Sequence, residues 1–370
     1  MPRTGNAQGQ TDSVANGIKL AIAEFEKGLP FDIVYADKDD ADAKTRGWDA
    51  GKEAENAREA AANRDVMAYI GPYNSGAAKV SMPILNNAGL VQISPAATYP
   101  GLTKKVKRNE RNGEPDIYRT TGLNTFCRVC PHDDSQGPNA AIFVAKELKA
   151  RSVYIIEDGD FYGPMIADGF EEKCKELKLE VLGRLSLERE AQISKPQLLK
   201  IKDAKPDAIF FGGTTQSGGP QVAIGLKASG FECPLVVPDG CYDPAFIKAA
   251  GEDVVNGRCY ATIGGLDPSD SKGAAAEFAK RYKETYKSDP EQHAIYGYEA
   301  AAVILTAIKA VGRKDRDLIR KAVLATKNFN KGALGKWSFD ADGDTTLQQT
   351  TVSKIEKGKF IPVAVIAGEV

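Results

Sequence analysis

Met67-Ala-Tyr-Ile-Gly-Pro-Tyr-Asn-Ser75-Gly-Ala-Ala78, followed by Leu90-Val-Gln-Ile-Ser94-Pro-Ala-Ala-Thr98, decides the fold. Each stretch is a short apolar run that stops at a cluster of Gly, Pro, Ser and Thr. That pattern is a parallel strand buried on both faces, with hydroxyls and free amides at its C-terminal end. Open α/β sheets bind small ligands at that edge. After Ser75 the chain turns helical in character, so the hydroxyl meets unpaired N–H groups and the positive end of a helix dipole. Such a place suits a carboxylate.

Outward from these runs the same alternation continues. Strands are expected at residues 31–36, 66–71, 90–94, 152–157, 180–185, 208–212, 235–238 and 258–263. Helices are expected at 13–26, 50–63, 138–149, 162–177, 195–204, 219–229, 274–286 and 295–311. Repeated βα units mean an α/β fold with parallel sheets and helices on both faces. The pattern nearly repeats before and after about residue 135, which argues for two similar lobes.

The chain has 370 residues, and 42% of them are apolar, enough for more than one core. With 49 basic and 50 acidic side chains the net charge is -1, so no global field recruits nucleic acid or an anionic membrane. The densest basic run, Lys104 to Arg111, is broken by Glu110 and bounded by Gly101 and Gly113, as in a solvated loop. Residues 294–311 form the longest apolar helical stretch, but Glu299 and Lys309 make it a core helix.

No signal peptide opens this sequence. Met1-Pro-Arg-Thr-Gly5 reads as a loop that follows a strand, so a first strand of the first lobe is expected to be missing or replaced. The segment Phe360-Ile-Pro-Val-Ala-Val-Ile-Ala367 is a candidate replacement, through residues 363–367.

Six cysteines (Cys127, Cys130, Cys174, Cys233, Cys241 and Cys259) include one close pair, Cys127-Arg-Val-Cys130, in a strand-like run. Zinc needs a second pair and a redox site needs a helix start, so apolar thiols are favoured, with a Cys233–Cys241 disulfide left open. Enzyme signatures are weak throughout. His132 and His293 are the only imidazoles. Asp37-Lys-Asp39-Asp40-Ala-Asp42 opens like a calcium loop, but Asp42 takes the glycine position and Trp48 the bidentate glutamate position. No phosphate loop, dinucleotide fingerprint or nucleophile elbow is found, so neither catalysis nor a cofactor nor a metal is expected.

Small polar groups do gather at strand ends. Ser75, Ala97 and Thr98 come from the first half. Asp158 to Tyr162, Gly213-Thr214-Thr215 and Pro238-Asp239-Gly240 come from the second. Hydroxyls and amides suit a carboxylate, and the lone acid Asp239 suits an ammonium. Together they describe a zwitterion held between two lobes, with Tyr73 and Tyr162 as walls.

The motifs Pro2-Arg-Thr-Gly5, Asn16-Gly-Ile-Lys-Leu-Ala, Ile70-Gly-Pro-Tyr-Asn-Ser-Gly-Ala-Ala, Ile93-Ser-Pro-Ala-Ala-Thr, Asp133-Asp-Ser-Gln-Gly-Pro, Phe161-Tyr-Gly and Pro238-Asp-Gly occur in this order. Over nearly its whole length the chain closely resembles the leucine/isoleucine/valine-binding proteins of bacterial ABC transporters, which are type I periplasmic binding proteins. The resemblance implies two Rossmann-like lobes joined by a three-segment hinge, residues 1–132 with 263–333 and residues 133–262 with 334–370. It also implies that Ser75 and Thr98 hold the ligand carboxylate, that the Ala97 backbone helps hold the ammonium, that Asp239 pairs with it and that Tyr162 covers it. By the same comparison Asp133 lies at the first crossover and Gln8 on a loop that often carries an aromatic.

Thr214 and Thr215 stand where the leucine binders have tyrosines, Asp239 replaces a Glu and Gln8 a Tyr, so a ligand more polar or larger than leucine is implied. The expected function is capture of an amino acid outside the cytoplasm, in the periplasm or at the cell surface, by a monomer that delivers it to an ABC permease. The alternative is a cytosolic sensor of the same fold that binds an amide or amino acid.

Overall fold

The computed structural model describes residues 1–106, 113–188, 192–265 and 273–367. The basic run Lys104–Arg111 therefore lies, from residue 107 on, outside the described residues. The chain divides into two compact units, Met1–Pro131 with Pro268–Leu347 and His132–Asp267 with Gln348–Val370.

In the first unit, β1 (Ala68–Ile70), β2 (Val91–Ser94) and β3 (Phe126–Arg128) form a three-stranded parallel sheet in the order β1-β2-β3. Helices α1 (Gln8–Phe25), α2 (Ala50–Ala62), α3 (Ser75–Asn87), α10 (Ala274–Tyr286), α11 (Ala294–Val311) and α12 (Arg316–Leu324) surround it. Burial on all sides explains why α11 is apolar enough to cross a membrane, for its residues line this core. Helices α1 and α11 meet backbone to backbone at two glycines. A Cβ on Gly17 would stand 2.1 Å from the Ala294 carbonyl oxygen, and one on Gly297 would stand 2.5 Å from that of Val14.

The second unit holds a seven-stranded sheet in the order β10-β9-β8-β7-β6-β4-β5. Strands β4 (Ser152–Glu157), β5 (Glu180–Ser186), β6 (Ala208–Gly212), β7 (Leu235–Val237) and β8 (Cys259–Gly264) are parallel. The last two, β9 (Thr350–Glu356) and β10 (Lys359–Ile366), run antiparallel to their neighbours. The two-residue period of a strand sorts the core. Val153, Ile155 and Phe210 pack against α4 (Asp133–Lys146) and α5 (Tyr162–Glu176), with Phe170 stacked on Phe210 at 4.0 Å. Tyr154, Ile156, Ile209 and Phe211 face the other way, toward α6 (Lys195–Ala204), α7 (Gly219–Ala228) and α8 (Pro244–Ala250). The short α9 (Glu252–Val255) precedes β8.

Three expectations are corrected. Residues 31–36 join no ladder: Phe31, Ile33 and Tyr35 lean on the first core while Val34 is 88% exposed, an extended strip without a paired neighbour. The C-terminal segment replaces nothing in the first sheet, because β10 pairs with β9 in the second unit through a nearly continuous register from Lys359↔Glu356 to Ile366↔Thr350. Residues 334–347 belong to the first unit, where Trp337 and Phe339 fill its core and the Trp337 indole donates to Glu299 Oε1 at 2.6 Å. All six cysteines, Cys233 and Cys241 included, are free thiols, and burial pushes Cys174 and Cys259 up to about 12.

Candidate functional site

Ser75 is the first residue of α3, whose first turn contains no acidic residue and whose flanking Asn74 makes no capping bond. The amides there keep their partial positive charge for an anion. Ser94, at the end of β2, organises the opposite wall. Its hydroxyl donates to the Pro72 carbonyl at 2.8 Å and accepts the Ala97 and Ala96 amides at 2.8 and 3.2 Å. The Tyr99 amide donates to Ser75 Oγ at 3.3 Å, so Ser75, Ala97 and Thr98 come together, with Ser75 6% and Thr98 3% exposed.

Beneath that loop lies a group that the sequence reading passed over. Arg128 of β3 is fully buried; it donates through Nη1 to the Ala97 and Tyr99 carbonyls at 2.9 and 2.7 Å and pairs through Nε with Asp344 at 2.6 Å. Asp344 also accepts the Thr103 hydroxyl at 2.8 Å. Both backbone groups of Ala97 are thus engaged within the unit, its carbonyl keeping one lone pair for a ligand. The signal for Arg128 was a charged residue inside the apolar run Phe126-Cys-Arg-Val-Cys130.

Two expected members of this half have surroundings other than those expected. Tyr73 belongs to the first core, its ring edge-on to His293 with centroids 5.3 Å apart, because a large ring next to α11 gains more from burial than from lining a wall. Gln8 is not on a loop; it is the exposed first residue of α1.

In the second unit the strand order reverses beside β4, between β5 on one side and β6 on the other. The segments that follow β4 and β6 pack on each other at this C-terminal edge, where open α/β sheets take ligands: the Asp158 amide donates to the Gly212 carbonyl at 3.0 Å, and a Cβ on Gly163 would stand 2.4 Å from that carbonyl oxygen. Tyr162 opens α5 at this edge, and its hydroxyl donates to Asp239 Oδ1 in the turn after β7. Burial first, then the charges of Asp239 and Asp133, push the Tyr162 phenol far above its usual range, so it stays a donor at every physiological pH. Gly240 lies between the two loops: a Cβ there would come within 2.8 Å of Thr214 Cγ2 and 3.1 Å of Tyr162 Cε1. Tyr162, Thr214 and Asp239 therefore converge.

The threonines are also spent on their own loops. Thr214 exchanges bonds with Ser217 at 2.8 to 3.0 Å, and Thr215 donates its amide to Gly240 at 2.8 Å and its hydroxyl to Asp243, the cap of α8. Asp133 opens α4 directly after the chain enters the second unit, and it is buried. Asp158, at the end of β4, accepts the Ser217 hydroxyl, and burial raises its carboxyl to about 6. Gln136, on the first turns of α4, accepts the Asp239 amide at 2.9 Å. No cluster suited to a metal ion occurs among the described residues.

Residues 1–359 match the family model described as periplasmic binding protein. The Leu/Ile/Val-binding protein BraC3 of Rhizobium johnstonii is 27% identical over 97% of this chain and 91% of its own length. Among solved structures, a leucine-binding protein, LivK, of Thermotoga maritima superposes with a TM-score of 0.84 at 28% identity, covering 99% of this chain and 96% of that one. The branched-chain amino acid transporter substrate-binding protein LivJ of Streptococcus pneumoniae, in complex with isoleucine, gives 0.81 at 23% identity over 98% and 97% of the two chains. A match that runs through both units and through every strand-end motif above is a match of the whole architecture, and the chain belongs to the periplasmic binding protein family.

Proposed function

We propose that this protein is the extracytoplasmic receptor of an ABC transporter and that its ligand is an amino acid. Asp239 carries the reading. It is a buried carboxylate at the C-terminal edge of a parallel sheet, already oriented by Tyr162 and by a backbone bond, in a family whose named relatives bind leucine, isoleucine and valine. A fixed acid in a dry place is the natural partner of an ammonium. The first unit takes the carboxylate end on Ser75 and Thr98 at the start of α3, and the Ala97 carbonyl adds a second acceptor for the ammonium. Thr214 and Thr215, polar where the leucine binders are aromatic, favour a ligand more polar than leucine.

Ligand capture shifts the protein toward a closed form that the permease recognises, since a ligand favours whichever state it contacts more fully. The receptor acts as a monomer, outside the cytoplasm. The family names favour this over a cytosolic sensor.

A thermal-shift screen with the twenty L-amino acids tests the reading, because a ligand at a hundred times its Kd adds about 2.7 kcal/mol to stability. At least one amino acid is expected to raise the melting point. Asp239→Ala should then weaken calorimetric affinity for it by roughly 2 to 5 kcal/mol, the effect of stranding a buried ammonium. Unchanged affinity in that variant refutes the role.

A further inference from the structure

The acid assigned to the ammonium stands on a short turn, Asp239–Cys241, and a turn by itself is a poor platform for a charge that must meet its partner to within a fraction of an ångström. What holds it is a side chain from another element. Gln136 is 1% exposed, on the first turns of α4, and its Oε1 accepts two hydrogen bonds, from the Asp239 amide at 2.9 Å and from the Thr262 hydroxyl of β8 at 2.9 Å. Its Nε2 makes no bond among the described residues. The whole hydrogen-bonding effort of this buried amide inside the unit therefore goes to the Asp239 turn and to the strand next to β7. The orientation is fixed by chemistry, since a backbone N–H and a hydroxyl directed at the same atom require an oxygen there.

We infer that Gln136 is the positioning residue for Asp239: it ties the turn after β7 to α4 and β8, and so sets the direction in which the carboxylate faces the ligand's amine. The inference rests on the amino-acid reading for its functional part, but its structural part can be measured without a ligand. Tyr162 fixes the carboxylate from the side-chain end and Gln136 from the main-chain end, which leaves the acid one rotamer and one place. That double restraint suits a shortened acid. An aspartate has less reach than a glutamate, so its backbone must be placed where a longer side chain could have searched.

Gln136→Leu removes the acceptor at similar volume. Gln136→Glu keeps it, because a glutamic acid buried near Asp133 and Asp239 holds its proton and presents one carbonyl oxygen. Both variants are compared with the wild type by hydrogen exchange of the Asp239 amide in the ligand-free protein, and by calorimetric titration with the twenty L-amino acids. In Gln136→Leu the Asp239 amide is expected to exchange about tenfold faster or more, the weight of one buried hydrogen bond, and affinity to fall by a similar factor. Core amides of Ile155 and Phe210 keep their wild-type rates, and Gln136→Glu restores both readouts.

An Asp239 amide that exchanges at the wild-type rate in Gln136→Leu overturns the inference. So does wild-type affinity despite faster exchange, and so does a uniform loss of protection across the second unit, which is what a purely structural residue would give. Should the wild type bind none of the twenty, the amino-acid reading falls, and the exchange arm alone decides whether Gln136 holds Asp239.

Discussion

Glu299 illustrates how much a single residue's meaning depends on its surroundings. In the sequence it is one charge in an apolar helix; in the fold it is fully buried and accepts the Trp337 indole and the Ala333 amide, each at 2.6 Å. Burial outweighs those two contacts and a third from the Leu334 amide at 3.3 Å, and raises its carboxyl from 4.5 to about 7. A group that binds its proton more tightly when folded stabilises fully below its unfolded pKa and loses that contribution as pH climbs through the folded value. Between pH 5 and 8.5 the wild type should therefore lose up to about 3 kcal/mol of stability that Glu299→Gln does not lose. Urea titrations at the two pH values measure the difference in slope, whatever the variant's absolute stability. At this scale the grouping of Ser75 with Thr98 and of Tyr162 with Asp239 was legible, because their joint occurrence at strand ends brings each pair to one place. Ser94, Arg128 and Gln136 were not singled out. Their work consists of bonds to distant main chain, and residue type alone does not show a contact.

Among elements, the packing of α1 on α11 is the most sharply defined. Two glycines let the backbones touch, and Gly17→Ala would force a methyl to 2.1 Å from the Ala294 carbonyl, which only a shift of one helix can relieve. A cost of about 1 to 3 kcal/mol is expected, read as a lower urea midpoint with unchanged slope. Strands at 152–157 and 208–212 and helices at 195–204 and 274–286 were legible to the residue because their apolar periodicity is uninterrupted. Helix α12 escaped notice. Its sequence is short and highly charged, and beside the local cap from Asp315 a tertiary contact fixes it: Arg316 donates to the Ala60, Ala61 and Asn63 carbonyls at the end of α2. Residues 31–36 mislead in the opposite direction. Their alternation is genuine, but a strand is made by its neighbour.

For the molecule as a whole, the division into two units was legible from the repeat of βα pairs, and the family from the order of its motifs. The last boundary fell at 347 because of side chains that no pattern announces, above all the buried Arg128–Asp344 pair. Arg128→Leu strips that buried aspartate of its cation and takes one donor from each of the Ala97 and Tyr99 carbonyls. It should destabilise the first unit by about 3 to 5 kcal/mol. Both tryptophans, Trp48 and Trp337, lie in the first unit, so their fluorescence during urea unfolding reports on it separately. The Arg128–Asp344 pair spans 216 positions of sequence. On a ribosome adding about 5 to 20 residues per second, the loop carrying Ala97 and Thr98 waits on the order of 10 to 40 s after Arg128 is made before its anchor emerges. The loop of Ala97 and Thr98 is thus among the last parts of the first unit to set, and a chain halted before residue 344 has β1, β2 and β3 but lacks that anchor.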